Sequence, residues 1–127
     1  MKRHIGGGSK QTADYTITTS WANTDGFEYI VEEDGYYDVY IQATVYLSST
    51  NSSCWLCIGV NSNNIKGSIG SSAESDGGYF YPVTLVSCLK LNKNDKVTLR
   101  SYATGSDVSL IYGLNSREGF LQARKVN

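Results

Sequence analysis

Between Gly35 and Leu47 apolar and polar positions alternate without a break. Tyr37, Val39, Ile41, Ala43, Val45 and Leu47 fall on one parity, and Asp38, Tyr40, Gln42, Thr44 and Tyr46 on the other. That is the period of a β-strand whose side chains leave alternately by its two faces. The aliphatic face needs a partner layer. The opposite face carries too much tyrosine to be ordinary wet surface, so the strand is expected to pack twice: once into its own domain and once against another molecule.

Shorter runs of β-branched and aromatic residues predict further strands at 14–21, 27–31, 55–60, 79–91, 96–102, 108–112 and 120–126. In the first of these, Tyr15, Ile17, Thr19 and Trp21 share a face. Turn-forming groups separate the strands at 22–26, 32–35, 61–64, 91–95 and 104–107, and 65–78 reads as a short strand and a long surface loop. Val83, Leu85 and, after a change of parity, Cys88 and Leu89 are core candidates. Pro82, the single proline, argues for an edge strand or a nearby strand start. Residues 1–13 have no periodicity and contain Gly6-Gly7-Gly8-Ser9, so they are expected to form a flexible N-terminal attachment arm. Residues 14–127 are expected to form one domain. With no helical period anywhere, the fold class is all-β, a sandwich or jelly roll.

Composition agrees with this picture. The 127 residues suit a single domain, and 13 glycines and 10 tyrosines favour strands joined by tight turns. A net charge of -1 from 11 basic and 12 acidic residues gives no pull toward nucleic acid or an anionic membrane. No apolar run approaches a membrane span, so membrane insertion is not expected. The first residues lack the apolar segment of a secretion signal, which points to synthesis in a cytoplasm. Basic residues gather at the two ends, Lys2, Arg3 and Lys10 at the front and Arg124 and Lys125 at the back.

The residues available for chemistry are few. The one histidine, His4, lies in the arm, so a Ser-His-Asp or Cys-His mechanism has no base in the folded body. Glu32, Glu33, Asp34, Asp38, Glu74, Asp76, Asp95 and Asp107 could supply a carboxylate pair, but most occupy predicted turns, where carboxylates accept backbone hydrogen bonds. Three consecutive acids at 32–34 cannot all aim at one calcium ion from an extended strand. Cys54 and Cys57 sit three apart on a predicted strand and point to opposite faces, so with Cys88 they are expected as buried thiols, not as a redox or zinc pair. No enzyme activity, metal or cofactor is expected. Tyr79, Phe80, Tyr81 and Tyr102, near Asn, Ser and Gly, have a composition able to grip sugars, and fit interface packing as well.

The order of three motifs carries a resemblance. Asp34-Gly35-Tyr36-Tyr37-Asp38-Val39 resembles an acidic turn, glycine and tyrosine pattern. Leu89-Lys90-Leu91-Asn92-Lys93-Asn94-Asp95-Lys96-Val97-Thr98-Leu99 resembles a Leu-x-Leu-x-x-Gly-Asp-x-Val-x-Leu hairpin, with Asn94 in place of the glycine. Gly119-Phe120-Leu121 is similar to the closing strand. Together they resemble the superfamily of tumour necrosis factors and complement globular heads. The resemblance implies a jelly-roll homotrimer with Tyr36, Tyr40, Tyr46 and Phe120 buried between protomers. In its organisation the chain is similar to small jelly-roll proteins of bacteriophage virions. That likeness implies a non-enzymatic virion structural protein made in the host cytoplasm, a head-decoration or head-fibre trimer held to other virion proteins through Lys2, Arg3 and Lys10. The alternative is a receptor- or carbohydrate-binding tip domain of a tail fibre or baseplate, with Tyr79, Tyr81 and Tyr102 on a host-surface glycan.

Overall fold

A computed structural model describes residues 5–47, 52–65, 71–75, 79–104, 108–112 and 118–126. Its spine is the alternating strand, β4 (Gly35–Leu47). Along one edge it pairs over its whole length with β8 (Tyr79–Leu91), from Gly35 opposite Leu91 to Leu47 opposite Tyr79. The other edge is shared by β11 (Phe120–Lys125), which pairs with residues 37–42, and β10 (Val108–Leu110), which pairs with 45–47. Outside β11 lies β1 (Gly6–Lys10), and outside β10 lies β2 (Tyr15–Thr16), completing a six-stranded sheet. In a second, five-stranded sheet, β9 (Lys96–Thr104) runs between β3 (Ala22–Ile30) and β5 (Ser52–Val60). The far edge of β5 carries β6 (Asn63–Asn64) and β7 (Ser71–Ser75). Every pairing is antiparallel, as in a jelly-roll sandwich.

The core lies between the sheets and is built by the parity seen in β4. Tyr37, Val39, Ile41, Ala43, Val45 and Leu47 are all buried, facing Phe27, Leu56, Ile58, Val97 and Leu99 of the second sheet. Each such side chain removed from water contributes about 1.5–3 kcal/mol, and these contacts hold the layers together. Asn94, at φ 75°, turns the hairpin between β8 and β9 in the left-handed region that Asn tolerates. The Asp95 carboxylate accepts the Asn92 N–H at 2.8 Å, and Asp34 Oδ1 accepts the Lys93 N–H at 2.7 Å. These acidic turn residues therefore serve the backbone.

The chain departs from the expected pattern at four places. Residues 6–10 are not part of a flexible arm but form β1, paired with β11 from Gly6 opposite Arg124 to Lys10 opposite Phe120. The glycine run has a steric reason: a Cβ at Gly8 would overlap the Leu121 carbonyl, and one at Gly6 the Ala123 carbonyl. Gln11 continues the anchoring, buried, with Nε2 donating to the carbonyls of Ala13 and Leu110 at 3.0 Å.

Secondly, only Tyr15–Thr16 of the expected strand at 14–21 forms a ladder. The Ile17 N–H still bonds to Val108 in the first sheet, but the Thr18 carbonyl accepts from Ala103 in the second, because the chain is crossing between layers there. Thirdly, residues 22–26 do not make a turn; they open β3. The pairing jumps from Asn23 opposite Arg100 to Glu28 opposite Thr98, a bulge with Gly26 at φ 90°. The Ser9 hydroxyl pins it, donating to the Gly26 carbonyl at 2.6 Å and accepting the Glu28 N–H at 2.8 Å. Lastly, β8 keeps one parity throughout, so Val83, Leu85 and Leu91 are buried, Leu89 is half-buried and Cys88 is exposed.

Two measurements test these packing arguments. Gly8→Ala should force β1 away from β11 and destabilise the fold by roughly 1–3 kcal/mol, read as a lowered denaturation midpoint with faster hydrogen exchange at residues 6–10. Tyr29 is buried beside Glu32 and Tyr37, and burial first, then the Glu32 carboxylate, pushes its phenol up to about 12. A raised phenol pKa favours the neutral folded form, so this stabilisation is complete below about pH 10 and is lost as the pH climbs through about 12. Tyr29→Phe should flatten the slope of unfolding free energy against pH in that window.

Candidate functional site

The outward side of the first sheet is the tyrosine face. On it Tyr40 stacks on Phe120, with ring centroids 5.6 Å apart and planes at 20°. Tyr46 lies directly opposite Phe80 in register, with centroids 4.7 Å apart. Val86 stands opposite Tyr40, and Tyr36 continues the row toward the Gly35 end. Tyr36, Phe80 and Val86 are 47%, 40% and 49% exposed, unusual values for large apolar side chains gathered on one flat surface. The four expected interface residues, Tyr36, Tyr40, Tyr46 and Phe120, thus do share a face. Phe80, read from the sequence as fitting either sugar binding or interface packing, joins them, and so does Val86, which was missed; their even positions in a strand paired to β4 are the signal that places both. Charge enters toward the Gly35 end, where Asp38 is opposite Arg124 and Tyr36 is opposite Lys90, and again beside Phe120, which is opposite the exposed Lys10.

The outward side of the second sheet carries a separate aromatic group. Tyr102 of β9 stacks on Trp21, centroids 5.7 Å apart and planes at 28°, and meets Trp55 of β5 at 5.4 Å and 47°. Beside it on β9 lies Arg100. Its Nη1 donates to Asn23 Oδ1 at 2.8 Å and its Nε to Asn64 Oδ1 at 3.1 Å, while Asn23 Nδ2 donates to Ser62 Oγ at 3.0 Å. The stem of Arg100 crosses Gly59, where a Cβ would overlap its Cγ. The absence of a side chain at Gly59 is what lets the guanidinium lie along the sheet.

The expected sugar-binding set does not come together. Tyr102 belongs to the second sheet, whereas Tyr81 lies on the first, half-buried and packed against the core opposite Val45. Tyr79 pairs with Leu47 through its backbone, and its side chain lies outside the described residues, as do Lys2 and Arg3. Lys10 is exposed at the end of β1. The two tryptophans that flank Tyr102 were not singled out, because Trp21 is distant in sequence and Trp55 sits between cysteines.

Those cysteines are placed as the strand geometry requires. Cys54 faces the core and Cys57 the opposite side beneath Arg100, both buried. Burial pushes the Cys57 thiol up and nearby Arg100 partly offsets this, which disfavours the thiolate that redox chemistry needs. The Asp14 carboxylate is occupied by the Tyr112 N–H at 2.7 Å, and Glu33 pairs with Lys125. Among the described residues no three His, Cys, Asp or Glu side chains gather as a metal site.

No family model and no curated protein matches the sequence. A search of solved structures finds the fold in the structure of the Eiger tumour necrosis factor from S. frugiperda. The two agree with a TM-score of 0.62 over 99% of this chain and 94% of that one, at 19% sequence identity. The fold is tumour-necrosis-factor-like. At that identity the likeness establishes the jelly roll and its sheet pairing and says nothing of ligand or source.

A thiol measurement checks the placement of the cysteine pair. In a Cys88→Ser variant neither remaining thiol should react with Ellman's reagent until the protein is unfolded, whereupon both should appear together. Reaction of one thiol in the native protein would show that β5 leaves Cys54 or Cys57 open.

Proposed function

We propose that the protein is a non-enzymatic structural protein that works as a homotrimer, with the aromatic face of the first sheet buried between three copies. The observation that carries this is the outward row of Tyr36, Tyr40, Tyr46, Phe80, Val86 and Phe120 on one side of a single sheet, with Tyr36, Phe80 and Val86 exposed and the other three half-buried. Aromatic residues concentrated on a flat surface, with charge at its margins, have the composition of an interface core. The tumour-necrosis-factor-like fold and the motif resemblance support three copies in preference to two.

In this reading the trimer is a head-decoration or head-fibre component of a bacteriophage particle. Support comes from the basic ends of the chain and from a corner of the fold. There Lys125 donates its N–H to the Ile5 carbonyl at 2.9 Å, so the described chain enters beside the place where it leaves. Lys2 and Arg3 precede Ile5 in sequence, and Arg124 and Lys125 lie on the neighbouring strand. Lys125 is paired with Glu33, so the basic residues at the front of the chain are the ones suited to an acidic surface of a neighbouring virion protein.

Sedimentation at micromolar concentration should give three times the 13.9 kDa chain mass. Val86→Arg changes a side chain already 49% exposed in the protomer, so the fold should survive while the trimer dissociates. A folded wild-type monomer, or a Val86→Arg protein that remains trimeric, would overturn the assembly. For the particle role, Lys2→Glu with Arg3→Glu should leave the trimer intact and reduce its attachment to particles; undiminished attachment would remove these basic residues from the account.

A further inference from the structure

Trp21, Tyr102 and Trp55 make a strip of three rings in contact on the outward side of the second sheet, the side opposite the core. Both tryptophans of the chain are in it, and Trp21 is 39% exposed. The neighbouring outward positions on β5 and β9 are Ser53, Cys57, Gly59, Thr98 and Thr104, none of them aliphatic. A protein interface core of this size would ordinarily add aliphatic contacts around its rings. Flat rings set among small polar groups suit a ligand with one apolar face and polar edges.

We propose that this strip and Arg100 form a binding site for a carbohydrate bearing a carboxylate, with the pyranose face on the exposed Trp21, which Tyr102 and Trp55 back, and the acid on Arg100. The C–H face of a pyranose is apolar and slightly positive, and it matches the negative face of an aromatic ring. The polar side is already in place. The Arg100 guanidinium is held by the amide oxygens of Asn23 and Asn64, Asn23 is in turn held by Ser62, and Gly59 leaves room for the stem. These amide oxygens take one N–H each from Nε and Nη1 without cancelling its charge, and a guanidinium has further N–H donors to offer. Among the described residues no carboxylate pairs with Arg100. An incoming carboxylate would supply that missing charge in the bidentate geometry a guanidinium favours. Arg100 and Tyr102 are two positions apart on one strand, a spacing of about 7 Å, which a mono- or disaccharide spans.

The site is complete within one protomer and faces away from the surface assigned to the trimer, so its test is separate from the test of assembly. The full chain is titrated with trigalacturonate, 3′-sialyllactose and, as the neutral control, lactose, followed by tryptophan fluorescence and calorimetry. At least one acidic sugar should bind saturably and at least tenfold more tightly than lactose. Trp21→Ala, with its fold checked by circular dichroism, should weaken that binding roughly tenfold through lost stacking. Arg100→Gln should abolish the preference for the acid, and monomeric Val86→Arg should keep the wild-type affinity per site. The proposal is overturned if neither acidic sugar binds, if lactose binds equally well, or if Trp21→Ala binds as wild type. A change of assembly mass in Trp21→Ala would also overturn it, by assigning the strip to a protein contact.

Discussion

The two-sided pairing of β4 is the constraint on which the other features rest. Thirteen residues hydrogen-bond on one edge to β8 and on the other to β11 and β10. With both edges engaged, the strand cannot shift by one residue without turning its aliphatic row outward and its tyrosines into the core. Burial of Tyr37 through Leu47 makes that inversion costly. Once the register is set, the positions of Tyr40, Tyr46 and their partners Phe120 and Phe80 follow.

A second constraint acts where the chain begins. β1 lies so close to β11 that Cβ atoms at Gly6 and Gly8 would occupy the space of carbonyl groups. Loss of side chains weakens a strand, since glycine gives up more freedom on folding than other residues do. Here that cost is offset by the ladder to β11, by Ser9 on the β3 bulge and by Gln11 on Leu110. The segment that resembles a linker is thereby tied into the sheet, and it brings the entry of the described chain to its exit.

The two sheets place different chemistry on opposite sides of the molecule. One side carries rings and Val86 with charge at the margins, as assembly between like copies requires. The other side carries rings beside a guanidinium held by amides, as recognition of a small polar ligand requires. Among the described residues neither side offers a histidine, and Asp14, Glu33, Asp34 and Asp95 are engaged in backbone bonds or an ion pair. The proposed roles of assembly and recognition therefore do not compete for the same residues.

Local order along the chain was enough to determine the strand class, the two faces of β4, the opposed directions of Cys54 and Cys57, and the left-handed turn at Asn94. Each depends on alternation or on a residue's own backbone preference, which act over a few positions. Sequence by itself could not determine which strands become neighbours, because pairing is set by burial summed over residues far apart. Tertiary structure alone decided that three glycines and a serine form an edge strand, that residues 22–26 build a bulge, and that β8 leaves Cys88 exposed. It likewise sent Tyr81 and Tyr102 to different sheets and gathered Trp21, Trp55 and Tyr102 onto one. Their meeting depends on β3 and β5 flanking β9, a non-local arrangement that no short window of sequence contains.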